Sequence, residues 1–190
     1  MALSARPTKS PLVAVGRALE AIRDQLIAKW ANWLVERMSQ VPHIDRRTIE
    51  RQLALLADIV IEMAGPMRRQ VEELWFSACD SYGRTGAARG LAAGEVVEEI
   101  QYLRELLIHD LSDVIAAMSA RHSMAVVLRL NRMLDTGIAH AVVGYTDVLV
   151  ESLLERRGVV LDASGPRENA VHERLTQLEE ELAALRVRRG

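Results

Sequence analysis
Apolar residues recur along this chain at intervals of three and four, the period of an amphipathic α-helix. The first such stretch runs from about Leu12 to Ser39, with Leu19, Ile22, Leu26, Trp30, Trp33, Leu34 and Met38 on one face. Trp30 and Trp33 are its expected core anchors, because burying an indole removes so much apolar surface from water; stacking on a flat ligand is the alternative. Pro42 disfavours helix in the residue before it, so Val41 to Asp45 reads as a connection with Asp45 as N-cap. A second helix to about Ala64 turns Ile49, Leu53, Leu56, Ile59, Val60 and Met63 inward, and Gly65-Pro66 closes it. A third carries Val71, Leu74, Trp75, Ala78 and Cys79. A fourth, ending near His122, has Val96, Ile100, Leu103, Leu107, Leu111, Val114 and Met118 at spacings of 4, 3, 4, 4, 3 and 4. A fifth runs from about Met124 to Arg156 on Val127, Leu130, Leu134, Ile138, Ala141, Tyr145, Val148 and Leu149, with Gly137 and Gly144 marking tight contacts to a neighbouring helix. No stretch alternates as a half-buried strand does; only Gly158 to Leu161 has an extended character.

Between the third and fourth helices lies Tyr82 to Arg104, which holds four of the eleven glycines. Gly86, Gly90 and Gly94 fall four apart, a spacing that lets helix backbones approach closely. Each glycine inside a helix costs roughly 1 kcal/mol against alanine, however, and glycine is the usual residue just past a helix end. A corner with Gly90 at the break is therefore preferred to one continuous helix. Glu95, Glu98 and Glu99 fall near the start of the fourth helix, where they favour its dipole.

The last segment differs in kind. Val171, Leu175, Leu178, Leu182 and Leu185 repeat at 4, 3, 4 and 3, the seam of a short coiled coil, with glutamate and arginine filling the other positions. A helix of this length is marginal alone, so the seam must meet a second surface. A partner chain is preferred to the protein's own domain. The expected organisation is a disordered, polar N-terminus over 1–11, a domain of five helices over 12–161, a linker over 162–166 and an amphipathic helix over 167–190.

Composition narrows the function. The chain of 190 residues is 49% hydrophobic, enough for a real core, and Phe76 is its one phenylalanine. Twenty-four basic and 26 acidic residues are interspersed at net charge −2, which gives no electrostatic footprint for nucleic acid. The single cysteine, Cys79, excludes an intramolecular disulfide and fits a reducing cytoplasm. No apolar signal core and no uninterrupted apolar run of membrane length is apparent, so a soluble cytoplasmic protein without membrane contact is expected.

Gly83, Ala87 and Gly90, followed by Glu95, Glu98, Glu99, Leu103 and Arg104, carry a family resemblance. The stretch resembles the N-terminal domain of RsbRD-type proteins, the RsbT co-antagonists of bacterial stress signalling, a domain also found ahead of sensor histidine kinases. Tyr82 stands where that family has histidine, Gly86 where it has arginine and Leu91 where it has an aromatic residue. The resemblance extends loosely from about Leu19 to Leu154. It implies a sensory or protein-interaction role in bacterial signalling, with a signalling protein as partner, and draws attention to Glu99 and Arg104 as an ion pair or ligand site. With Gly86 in place of arginine, Arg84 or Arg89 is the candidate to supply the missing charge.

Chemistry elsewhere is sparse. His43, His109, His122, His140 and His172 form no metal-ligand pattern, since Glu105 and His109 stand four apart without a second copy. His109 with Asp110 and Asp113 reads as a solvated polar face. Cys79 lacks an adjacent activating histidine, and no serine sits in a nucleophile elbow. No phosphate loop or dinucleotide fingerprint is present. The reading is thus an all-α, non-enzymatic, cofactor-free regulatory module that forms a homodimer through its C-terminal seam. The alternatives are a small-molecule or haem-binding, globin-like sensor with His109 or His140 as axial ligand, and a purely structural dimeric bundle.

Overall fold
The computed structural model describes residues 11–37, 46–64, 68–157 and 168–188, and all its regular structure is helical. Seven helices are formed among the described residues, where five and a C-terminal sixth were expected: α1 (Pro11–Arg37), α2 (Arg46–Ala64), α3 (Arg68–Ala88), α4 (Ala93–Asp110), α5 (Ser112–Ala116), α6 (Ala120–Arg156) and α7 (Glu168–Val187). The polar N-terminus 1–10, the connection 41–45, the Gly65-Pro66 stop, the extended stretch 158–161 and the linker 162–166 lie outside the described residues. The described part of α1 starts at Pro11, a residue whose fixed φ and missing N–H suit a first helical turn.

The α3–α6 pair forms the centre of the protein, with α2, α4 and α7 packed around α3. Helix α1 lies on α2 and also meets α4. The expected faces of α2 and α3 are buried throughout, and of the stripe expected for the fourth helix Val96, Ile100, Leu103, Leu107 and Leu111 are buried while Val114 and Met118 are half-buried. Leu53, Leu56, Ile59, Ile100 and Leu103 are almost fully enclosed, and burial of each such side chain contributes about 1.5–3 kcal/mol.

Three expectations about this core are corrected. The fourth helix does not continue to His122: it is interrupted at Leu111, and the chain turns at 117–119 before α6 begins at Ala120. Apolar spacing carries across the break because Leu111 remains buried, while Ser112, Asp113 and Ser119 supply side chains that favour turns and caps over helix interiors. On α6 the buried stripe is Val126, Leu130, Met133, Leu134, Ala141, Tyr145 and Val148, with Ile138 only half-buried and Leu149 exposed. Trp30 is a core anchor, but Trp33 is half-buried and stacks on Tyr102 at 4.3 Å, with the Arg37 guanidinium 4.6 Å from its ring. Its stacking partners are therefore side chains of the same protein.

Helices α3 and α6 meet almost backbone to backbone. A Cβ on Gly83 would collide with the backbone of Ala141, and one on Gly144 with the backbone of Asp80. At Gly137 an added Cβ would come within 2.6 Å of the Trp75 ring and 2.9 Å of the Cys79 sulfur. The tight contacts expected of Gly137 and Gly144 are thus made, and Gly83 completes them. The Trp75 indole N–H donates to the Met133 carbonyl at 3.0 Å across the same interface.

The C-terminal seam is satisfied within the chain. Val171, Leu175, Leu178 and Leu182 are buried and Leu185 partly so, as α7 packs against α2 and α3. The preference for a partner chain at this seam is corrected accordingly. Polar contacts explain the choice of surface. Arg51 donates to Glu179 and Thr176, Arg186 donates to Glu62 at 2.8 Å, and Thr48 meets His172 at 3.2 Å. Together these clasp one edge of α7 to α2.

Candidate functional site: a buried polar layer at the glycine corner
Helix α3 stops at the expected corner. The Arg89 N–H returns to the Thr85 carbonyl at 2.9 Å, and Gly90 takes φ 77°, a left-handed conformation that a side chain resists. Leu91 N–H closes on the Gly86 carbonyl at 3.1 Å. Ala92 then caps α4 without a side-chain acceptor, so only the return half of a capping box forms: its N–H donates to Glu95 at 2.7 Å. The Tyr145 hydroxyl ties the corner to α6 by donating to the Leu91 carbonyl at 2.8 Å.

This turn folds Arg89 back beneath α4, where it pairs with Glu99. Arg89 is 1% exposed and Glu99 5%. One guanidinium N–H donates to Glu99 Oε2 at 3.1 Å, a second pairs with Oε1, and the buried Tyr82 hydroxyl donates to Oε2 at 2.6 Å. Tyr82 packs against Trp30 with ring centroids 6.0 Å apart. Alongside, Gln52 donates to Thr85 at 3.2 Å, and Thr85 donates to the Ser81 carbonyl at 2.9 Å. Three helices, α2, α3 and α4, therefore share one polar layer inside an otherwise aliphatic core.

The electrostatics follow from enclosure. Burial raises the Tyr82 hydroxyl far above its ordinary range, and the neighbouring Glu99 charge pushes it further, so Tyr82 stays a neutral donor. Burial disfavours the Arg89 charge, but the Tyr82 and Glu99 oxygens outweigh it and hold the guanidinium protonated. Arg89 Nε and Gln52 Oε1 are buried without a hydrogen-bond partner among the described residues. Such a layer is costly to desolvate and only partly satisfied, so its ion pair is weak evidence of net stability.

The four residues singled out in the sequence separate into three places. Arg89 and Glu99 form the buried pair. Arg84 points the other way, to Asp80 at 3.2 Å on its own helix and to Asp147 at 2.9 Å and Glu151 at 3.2 Å on α6. Arg104 pairs with Asp135 of α6 and has no contact with Glu99. The three acidic residues near the start of α4 also divide: Glu95 caps, Glu98 meets Arg37 at 2.6 Å and Glu99 is buried, so the helix dipole is not a sufficient account of them. Sequence reading did not find Gln52, Thr85 or the role of Tyr82. The signal was available, because Val71, Trp75, Ala78, Tyr82, Thr85 and Arg89 continue one stripe at spacings of 4, 3, 4, 3 and 4 in which only the last members turn polar.

The histidines proposed for haem are placed otherwise. His109 is exposed and meets Asp110 at 2.9 Å, while His140 stacks on Phe76 at 4.4 Å. Among the described residues no three of His, Cys, Asp and Glu converge as metal ligands. Cys79 is buried, and enclosure followed by the charge of Asp80 drives its thiol well above the ordinary range, the opposite of an activated nucleophile. By length and composition one described helix, α6, is apolar enough to cross a membrane, and only 28% of that stretch is buried. The absence of an uninterrupted apolar run did not reveal this property. No protein-family model, no curated protein and no solved structure matches this chain.

Proposed function
We propose that this protein is a non-enzymatic regulatory module of bacterial signalling, acting in the cytoplasm through contact with a second copy of itself and with a signalling partner. The resemblance of Gly83 to Arg104 to the RsbRD N-terminal domain supports the signalling role. The observation that carries the self-association is the outer face of α6. Val143, Leu149, Val150 and Leu153 are 46–58% exposed, and Ala139, Val143, Thr146, Val150 and Leu153 repeat at 4, 3, 4 and 3. That is the spacing of a helix-pairing seam on a helix whose opposite face is already buried. Two copies pairing through α6 would cover it in an isologous contact. The C-terminal seam, used internally, leaves this second row as the dimer surface.

Sedimentation of the intact chain is expected to give a dimer, and a Val143→Lys, Val150→Lys variant a folded monomer. A monomeric intact chain, or a dimer that the paired lysines leave intact, would defeat the reading. A haem sensor is disfavoured by the exposed His109 and the stacked His140, and a Soret band in the purified protein would reverse that judgement.

A further inference from the structure
A cleft opens beside the other half of α6, away from its exposed row. It is a half-open concavity whose enclosed void is about 60 Å³, so that a ligand there is only partly sunk into the protein. Trp75, Phe76, Leu130 and Met133 make its floor, so the wall chemistry is aromatic and aliphatic. Its polar groups are few: Arg129, Arg132, Glu72 and Thr136. Arg129 is held in position by donating to the Met63 carbonyl at 3.0 Å, near the C-terminal end of α2. Arg132 carries no ion pair among the described residues. Two guanidinium groups against one carboxylate leave the cleft a net positive charge above an apolar floor. A few polar groups over an apolar concavity are the ordinary composition of a small-molecule site.

We infer that this cleft binds a small organic monoanion, a carboxylate attached to a compact apolar body of about the bulk of a phenyl or short branched alkyl group. The body occupies the Trp75 and Leu130 floor, and the carboxylate meets Arg132, with Arg129 adding positive charge. A guanidinium is suited to this because its planar donors match a carboxylate. Residues of α1, α2, α3 and α6 all line the cleft, so a ligand there bridges both helix pairs of the protein. The inference does not depend on the dimer contact, which uses the C-terminal half of α6.

The test uses the full chain and three matched probes: phenylacetate, 2-phenylethanol and 2-phenylethylammonium. The readout is the Trp75 indole N–H resonance, assigned with Trp75→Phe and sensitive because that N–H bonds the Met133 carbonyl at the cleft. Phenylacetate is expected to shift it saturably and to bind roughly tenfold more tightly than the alcohol, with no binding by the ammonium. Arg132→Gln, at an exposed position where folding is not threatened, should weaken phenylacetate several-fold and leave the alcohol unchanged. Thr136→Phe, checked for an unaltered melting temperature, should block both. Equal binding of acid and alcohol, an unchanged phenylacetate affinity in Arg132→Gln, or no shift by any probe overturns the inference. A saturable shift that survives Thr136→Phe places the ligand elsewhere and overturns it equally.

Discussion

Arg84 and Arg89 stand on the same helix and hold their charge in opposite ways. Arg84 is about one-third exposed and meets three carboxylates, two of them on α6. Arg89 is enclosed and meets one, with a tyrosine hydroxyl completing the carboxylate's shell. The count of ion pairs favours Arg84, but water decides their weight. Solvent screens the Arg84 cluster and supplies a substitute for any partner lost, whereas nothing replaces Glu99 if Arg89 is left alone.

The largest effect is expected at Glu99. Glu99→Leu should cost about 3–5 kcal/mol in urea unfolding, because it strands a buried cation, and adding Arg89→Met should restore most of that loss. A double variant as unstable as the single one would show that the pair acts as a staple and not as a buried liability. Tyr82→Phe removes one hydrogen bond from Glu99 and should cost about 1–2 kcal/mol by the same measurement. Arg84→Ala, despite its three partners, should cost no more than about 1 kcal/mol, with a difference from the wild type that shrinks as salt is added.

Lys29 and Asp110 supply an intermediate case, joining α1 to the end of α4 at 2.8 Å. Burial raises the Asp110 carboxyl, but hydrogen bonds from Lys29 and then His109 outweigh it and hold the group below its ordinary value. A depressed carboxylate contributes stability that is complete above the unfolded value near pH ~4 and is lost as pH falls through the lower folded value. Asp110→Asn should therefore lose less than about 1 kcal/mol at neutral pH and show a shallower loss of stability in acid titration. An unchanged acid limb would mean that Lys29 does no more there than water.

Much of this was legible in the chain itself. Periodicity placed the long helices because an amphipathic face must be buried, and Gly90 placed the corner because few other residues tolerate its backbone. Periodicity could not say whose surface covers Leu175 and Leu178. A seam records only that a partner exists, and the contacts from Arg51 to Glu179 and from Arg186 to Glu62 that select α2 span more than a hundred residues. The pairing of Arg89 with Glu99 was hidden for a different reason. Its geometry depends on the angle of the corner, and spacing along one helix carries no information about that angle. Arg104 was drawn toward the same site by motif alone, whereas its position on α4 turns it toward Asp135.

The close approach of α3 and α6 gives the protein a chemical clock. Cys79 is the sole thiol and lies under the Gly137 backbone, where its proton is tightly held. An alkylating reagent can reach it only when the two helices part. Its labelling rate, compared with that of an unfolded chain, therefore reports the free energy of that opening, one molecule and one sulfur at a time. Dimerisation through α6, or a carboxylate seated above Trp75, would each register as a slowing of the same reaction.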